Sequence, residues 1–219
     1  MTEHAVLMDR IYRHQRYIYD FTRKYYLFGR DKLIKQLALR PGDRLIEVGC
    51  GTSRNLIKIA KAYPDAMLYG LDASSEMLAA SAVAIRRAGL EGRIKLVLAY
   101  AEDLSPGLFG ETVPFDAAVF SYALSMIPDW RKALAAAHGA LAPGGKVHVV
   151  DFGDLKGLSP PFERILRGWL GLFHVAPREE LLRTIEGRGP RPAGLRLLAG
   201  RYAFLWSAGR DDAFWSAFT

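Results

Sequence analysis

A single cysteine, Cys50, stands in a chain of 219 residues, so no internal disulfide can form and no cysteine cluster can hold a metal. A reducing compartment and no metal are expected, and the thiol's place between Gly49 and Gly51 marks it as a small packing residue. Also missing is any apolar run near the ~18 residues that a bilayer span needs. The first residues, with His4, Asp9, Arg10 and Arg13, lack the apolar core of a signal peptide. The expectation is a cytoplasmic protein that can touch the inner face of a membrane. Acidic residues are short, 23 against 30 Lys and Arg, leaving a net charge of +7. That surplus favours anionic surfaces, nucleic acid or phospholipid, without choosing between them. Repeats and low-complexity tracts are absent too, and 50% hydrophobic content at this length suits one α/β domain with a short extension.

What is present is clearest at Leu45-Ile46-Glu47-Val48-Gly49-Cys50-Gly51-Thr52-Ser53, an apolar run that ends in a carboxylate and a glycine turn. The segment Leu68-Tyr69-Gly70-Leu71-Asp72 follows it. Glycine lets a ligand lie against the backbone, and an acid ending the next strand can accept from ribose hydroxyls. A pyrophosphate fingerprint would need a third glycine, and position 54 is Arg54. Glu47 also opposes an anionic pyrophosphate, whereas it suits a methionine ammonium. Hydride chemistry is therefore disfavoured, and S-adenosylmethionine fits better than a dinucleotide.

Around that turn the periodicity predicts alternating elements: strands over 44–48, 67–71, 94–98, 115–120 and 146–151, with helices over 54–63, 75–88 and 130–141. Residues 5–39 read as two helices broken near Phe28-Gly29, and Pro41-Gly42-Asp43 turns into the first strand. The last third predicts an amphipathic helix from Pro161 to Phe173, a helix over 177–187, and two terminal strands around Ala199-Gly200-Arg201. The expected architecture is α/β and Rossmann-like: a seven-stranded, mostly parallel sheet, helices on both faces, an antiparallel last strand and an N-terminal helical extension. In domain terms, residues 1–40 form a helical cap or substrate segment and residues 41–219 the cofactor-binding domain. Ligands in such sheets bind at the carboxyl ends of the strands, where Glu47, Asp72, Tyr100, Ser121 and Asp151 fall.

From Pro41 to Trp206 the sequence resembles the class I S-adenosylmethionine-dependent methyltransferases. The resemblance is carried by Glu47-Val48-Gly49-Cys50-Gly51-Thr52, Asp72, Ala101-Glu102-Asp103-Leu104, Phe115-Asp116 and Leu141-Ala142-Pro143-Gly144-Gly145, in order. It implies that Glu47 orders the turn and the methionine end, that Gly49 and Gly51 admit the cofactor, and that Asp72 holds the ribose. Ala101 and Glu102 would flank the adenine, and Ala73 and Ser121 complete the cofactor-side candidates. Ser53 replaces a third small glycine, and Tyr100 stands where relatives often carry Asp.

Residues 16–31, Arg16-Tyr17-Ile18-Tyr19-Asp20-Phe21 through Arg30-Asp31, resemble the N-terminal signature of bacterial diacylglyceryl-homoserine N-methyltransferases. That family methylates one amine three times to give the betaine lipid diacylglyceryl-trimethylhomoserine. A Tyr-Asp at this place also occurs in quinone C-methyltransferases and phospholipid N-methyltransferases. A phosphatidylethanolamine or quinone acceptor therefore stays open. A tRNA methyltransferase is disfavoured, since strand four ends in Ser121-Tyr122-Ala123-Leu124 without an Asn/Asp-Pro-Pro-aromatic motif, so no nucleic acid is expected.

Methyl transfer from a sulfonium needs positioning more than a nucleophile, and aromatic faces suit a cationic product. Tyr17, Tyr25, Tyr26 and Tyr122 are the candidates at the acceptor, with Arg23 for a carboxylate and Lys24, Arg30 and Lys32 close behind it. The alternative for each tyrosine is a ring packed on the sheet. No histidine stands near Ser125-Met126, and His148, inside a predicted strand, reads as structural. The expected partners are a lipid with an amino-acid head group and the anionic membrane surface. The basic N-terminal helix and the Phe162, Trp169, Phe173 stripe would meet that surface. Oligomeric state is not encoded in any motif.

Overall fold

The computed structural model describes residues 28–172, 175–189 and 193–217. Tyr17, Arg23, Tyr25, Tyr26 and Phe173 lie outside them.

Seven strands form one sheet in the order β3-β2-β1-β4-β5-β7-β6. In chain order they are β1 (Arg44–Val48), β2 (Met67–Asp72), β3 (Ile94–Leu98), β4 (Phe115–Ser121), β5 (Leu141–Phe152), β6 (Arg196–Leu198) and β7 (Ala203–Gly209). The first five pair in parallel, and β7 runs antiparallel to both β5 and β6. β1 and β4 sit mid-sheet with both faces covered, which is why they read as continuous apolar runs rather than alternating ones. Strand order reverses between β1 and β4, so a crevice opens over their carboxyl ends.

Among the described residues six helices pack on the sheet: α1 (Arg30–Gln36), α2 (Arg54–Ala62), α3 (Ser75–Arg87), α4 (Trp130–Gly139), α5 (Pro160–Leu172) and α6 (Glu179–Glu186). One core joins Leu33 and Ile34 of α1, Leu56 and Ile59 of α2, Ile85 of α3 and Leu170 of α5. The opposite core joins Trp130 and Leu134 of α4, Leu181 and Ile185 of α6, and Trp206, Phe214 and Trp215. The chain from α5 to α6 therefore crosses from one face of the sheet to the other. α3 is capped by Ser74, whose hydroxyl accepts from Met77 N at 3.3 Å. At the amino ends of the strands, away from the crevice, Glu111 joins Arg44 of β1, Tyr69 of β2 (3.0 Å) and Lys95 of β3 (2.6 Å).

The elements follow the sequence expectations with shifted ends. The strand expected over 146–151 begins at Leu141, because Phe115 pairs with Leu141 before the register jumps to Ala117 with Lys146. The Pro143-Gly144 turn is thus an irregularity within β5. The second of the two terminal strands expected around Ala199-Gly200-Arg201 runs from Ala203 to Gly209, which pairs with Lys146.

Candidate functional site

The site begins at the end of β1. Gly49 and Gly51 have φ of +70° and +53°, a left-handed region open to glycine at little cost. A Cβ at Gly49 would lie 2.8 Å from Ala123 Cβ, so the loop after β4 closes on the turn only because that side chain is missing. Gly49 N and Cys50 N both donate to Leu71 O, at 2.8 and 3.0 Å, which ties the turn to β2. Ser53, in the third small position, takes φ +57° and its hydroxyl pairs with that of Ser81 on α3. The added hydroxyl anchors the helix behind the turn rather than facing the crevice. Cys50 is buried, and burial followed by the charges of Asp72 and Glu47 pushes its thiol well above the ordinary range, so it stays an inert packing group.

Two carboxylates frame the turn. Glu47, 1% exposed in mid-sheet, accepts from Asn55 Nδ2 of α2 at 2.7 Å. Asp72 accepts from Gly51 N at 2.8 Å through Oδ2 and from Ser74 N at 2.9 Å through Oδ1. Ala73 follows in the link to Ser74, and Ala99 N donates to Asp72 O at 3.2 Å, which brings the end of β3 alongside. A short 3-10 helix, Ala101–Asp103, comes next, with Ala101 buried and Glu102 half-buried.

A cleft over β1 and β4 is lined by Arg30, Glu47, Gly49, Thr52, Asn55 and Ser121 among others. It therefore gathers Glu47, Gly49 and Ser121 of the sequence-derived set. Ser121 Oγ is buried with no hydrogen-bond partner in the described residues, a cost that a ligand donor or acceptor would remove. Sequence reasoning ranked Arg30 behind Arg23, quoted Thr52 only as part of the turn motif, and left Asn55 unnoticed. Nothing local marks them, since Arg30 enters only because Gly29, at φ +90°, turns α1 over the sheet.

Tyr122, one of the acceptor candidates, follows β4 directly after Ser121. It is 2% exposed, takes φ +56°, and its hydroxyl donates to Phe28 O at 2.6 Å. Its ring packs edge-on against Phe152, with centroids 4.8 Å apart, and the Arg30 guanidinium lies 5.7 Å from its centroid. Burial, then Tyr202 and Asp151, raises its phenol well above the usual range. His148 lies in β5 with Nδ1 2.8 Å from Ser207 Oγ of β7, and burial followed by Lys146 lowers it to about 4, so it is neutral at pH 7. Asp151, fully buried, accepts from Ser125 N (3.1 Å) and Phe152 N (2.8 Å), and burial raises it to about 6 against those hydrogen bonds and Arg178. It holds the loop after β4 over the site.

Known proteins share this framework. Residues 45–145 match the family model of a methyltransferase domain. A ubiquinone/menaquinone biosynthesis C-methyltransferase of Syntrophotalea carbinolica is 32% identical over 73% of this chain and 65% of its own length. A demethylmenaquinone methyltransferase of Geobacillus kaustophilus is 31% identical over 55% of this chain and 50% of its own. The chain thus spans one half to just under two thirds of these two relatives. Among solved structures, the S-adenosylmethionine-dependent methyltransferase SibL in its apo form superposes with a TM-score of 0.66, at 20% identity over 89% of this chain and 57% of that one. A SAM-dependent methyltransferase from Aquifex aeolicus gives 0.58, at 18% identity over 86% and 92%. These two likenesses are of fold.

Proposed function

We propose, from the premise that residues 45–145 match a methyltransferase domain within a fold shared with S-adenosylmethionine-dependent methyltransferases, that the chain transfers methyl groups from S-adenosylmethionine to a lipid-soluble acceptor. The carrying observation is the cleft itself, which sets the Glu47 carboxylate and the Arg30 guanidinium at one end of a glycine turn that Asp72 braces.

The residues fit that cofactor by charge and shape. A methionine end is zwitterionic, so Glu47 would meet its ammonium and Arg30 its carboxylate, by a forked contact. Asp72 would accept from the ribose hydroxyls, Ser121 Oγ would gain the partner it lacks, and Ala101 with Glu102 would border the adenine. When bound, the cofactor supplies a methyl group already activated on a sulfonium. The protein's share of the work is to hold the acceptor in line with that group and to exclude water.

For the acceptor we favour the amine of diacylglyceryl-homoserine, methylated three times to diacylglyceryl-trimethylhomoserine. Support comes from the signature at residues 16–31 and from the character of the cleft. Its described lining holds no histidine, and the Tyr122 hydroxyl is engaged with Phe28 O. An amine attacks through its own lone pair once its proton has left, whereas a ring carbon needs a base on the adjacent hydroxyl. The second reading is methylation of a quinone ring carbon, and the names of the curated relatives support it better than they support the first.

Purified protein with methyl-labelled S-adenosylmethionine decides between them when offered diacylglyceryl-homoserine, phosphatidylethanolamine and a demethylquinol separately. The expected result is label in mono-, di- and trimethylated homoserine lipid. Label in the quinone alone overturns the amine reading and leaves the methyltransferase reading intact.

A further inference from the structure

Helix α5 buries one side and shows the other. Leu170 is buried, with Leu166 and Trp169 packed against the core, whereas Phe162, Ile165 and Leu172 are 52%, 69% and 72% exposed. At 3.6 residues per turn Ile165 and Leu172 fall on one side of the helix with the exposed Pro161 and Gly168, and Phe162, in the first turn, stands at the edge of that side beside Trp169. The one acid of α5, Glu163, is turned aside to accept from Arg167 Nε at 2.8 Å. Arg164 is exposed, and among the described residues it joins no ion pair. The outward side of α5 is therefore apolar, edged by a cation and free of acids.

Its place in the fold gives that face a direction. The loop entering α5 leaves the carboxyl end of β5, at the same end of the sheet as the cleft. That loop is tied to the β6–β7 turn, with Gly153 N donating to Tyr202 O at 2.8 Å. Phe28, itself 50% exposed, stands edge-on to Tyr202 with ring centroids 5.4 Å apart.

We propose that this side of α5 docks on the anionic surface of a phospholipid bilayer, with Phe162, Ile165 and Leu172 seated among the acyl chains and Arg164 at the phosphates. A net charge of +7 complements that surface and repels a second copy of the chain. Three side chains on a helix of 13 residues also offer far less than the roughly 1,200 Å² that a stable pair of proteins buries. An amphipathic helix with a basic edge is the form that lies in a membrane interface. The proposal rests on the reading of a lipid-soluble acceptor, because docking at this end brings the cleft to where such an acceptor resides.

Vesicle co-sedimentation tests it without any methyl transfer. The full chain is mixed with vesicles of phosphatidylglycerol and phosphatidylcholine, or of phosphatidylcholine alone, at fixed salt. The expected result is binding at least tenfold tighter to the anionic vesicles. A Phe162→Ser/Ile165→Ser/Leu172→Ser variant should lose at least tenfold, Leu172→Asp alone several-fold, and Arg164→Glu several-fold on anionic vesicles only. S-adenosylmethionine affinity and the thermal midpoint, measured on the same samples, report whether each variant is folded. Docking through α5 is overturned if the wild type ignores anionic vesicles, if folded Leu172→Asp and the triple variant bind like the wild type, or if the variants instead dissolve a dimer. Loss of cofactor binding in the wild type strikes the methyltransferase reading, which is a separate outcome.

Discussion

At the scale of single residues, the turn after β1 concentrates the demands. Asp72 serves two backbone amides, so its loss has a structural and a binding consequence. Asp72→Ala is expected to weaken S-adenosylmethionine by at least tenfold, about 1.4 kcal/mol, in titration calorimetry, and to lower the thermal midpoint as Gly51 N and Ser74 N lose their acceptor. Retention of wild-type affinity would remove the ribose role. At Gly49 a left-handed φ and a Cβ only 2.8 Å from that of Ala123 act together. Gly49→Ala should therefore cost about 2 kcal/mol or more in urea unfolding. Arg30→Gln tests the carboxylate contact: cofactor affinity is expected to fall about tenfold, and an unchanged affinity would assign Arg30 to the acceptor or to packing. Asp72 and both glycines were legible in the sequence because a carboxylate that takes two turn amides and a tight turn need those residue types at fixed places. Arg30 was one of several equivalent cations until the path of α1 placed it.

Among the elements, the segment that crosses the sheet is held by paired arginines rather than by core alone. Arg167 joins Glu163 of α5 to Glu179 of α6 (2.9 Å) and donates to Asp154 O (2.6 Å). Arg201 reaches Asp154 at 2.7 and 2.8 Å and Glu186 of α6 at 2.8 Å, which fastens the β6–β7 turn to α6 and to the loop that enters α5. The Asp154 side chain is only 6% exposed, so Arg201→Met would leave a buried carboxylate without its forked partner. A loss of about 3 kcal/mol is expected, read by urea denaturation, with the β6–β7 turn opening first in hydrogen exchange. The helices themselves could be read from apolar spacing. Their stapling could not, since Asp154, Glu186 and Arg201 are far apart in sequence and no periodicity links them.

For the whole molecule, two buried groups set opposite pH trends. Burial raises Asp151 from 3.8 to about 6, so its contribution to stability is fully present below pH 3.8 and is lost as pH rises through about 6. Burial lowers His148 from 6.5 to about 4, so its contribution is present above pH 6.5 and is lost as pH falls through about 4. Between these limits the two trends partly cancel, and the wild type is expected to show a shallow slope. Asp151→Asn should steepen the loss of stability towards acid, and His148→Gln should make stability rise towards acid, both read as unfolding free energy from pH 4 to 7. The sequence alone determined the parallel sheet, its strand order of appearance and the cofactor class, because burial on both faces, turn chemistry and an acid ending the second strand each leave a local mark. Only the tertiary structure decided that the Tyr122 hydroxyl binds Phe28 O, that Arg30 enters the cleft, and that α5 shows Phe162, Ile165 and Leu172 to the outside. Those outcomes depend on which surfaces meet once the sheet has formed, and a side chain's identity does not reveal which neighbours will cover it.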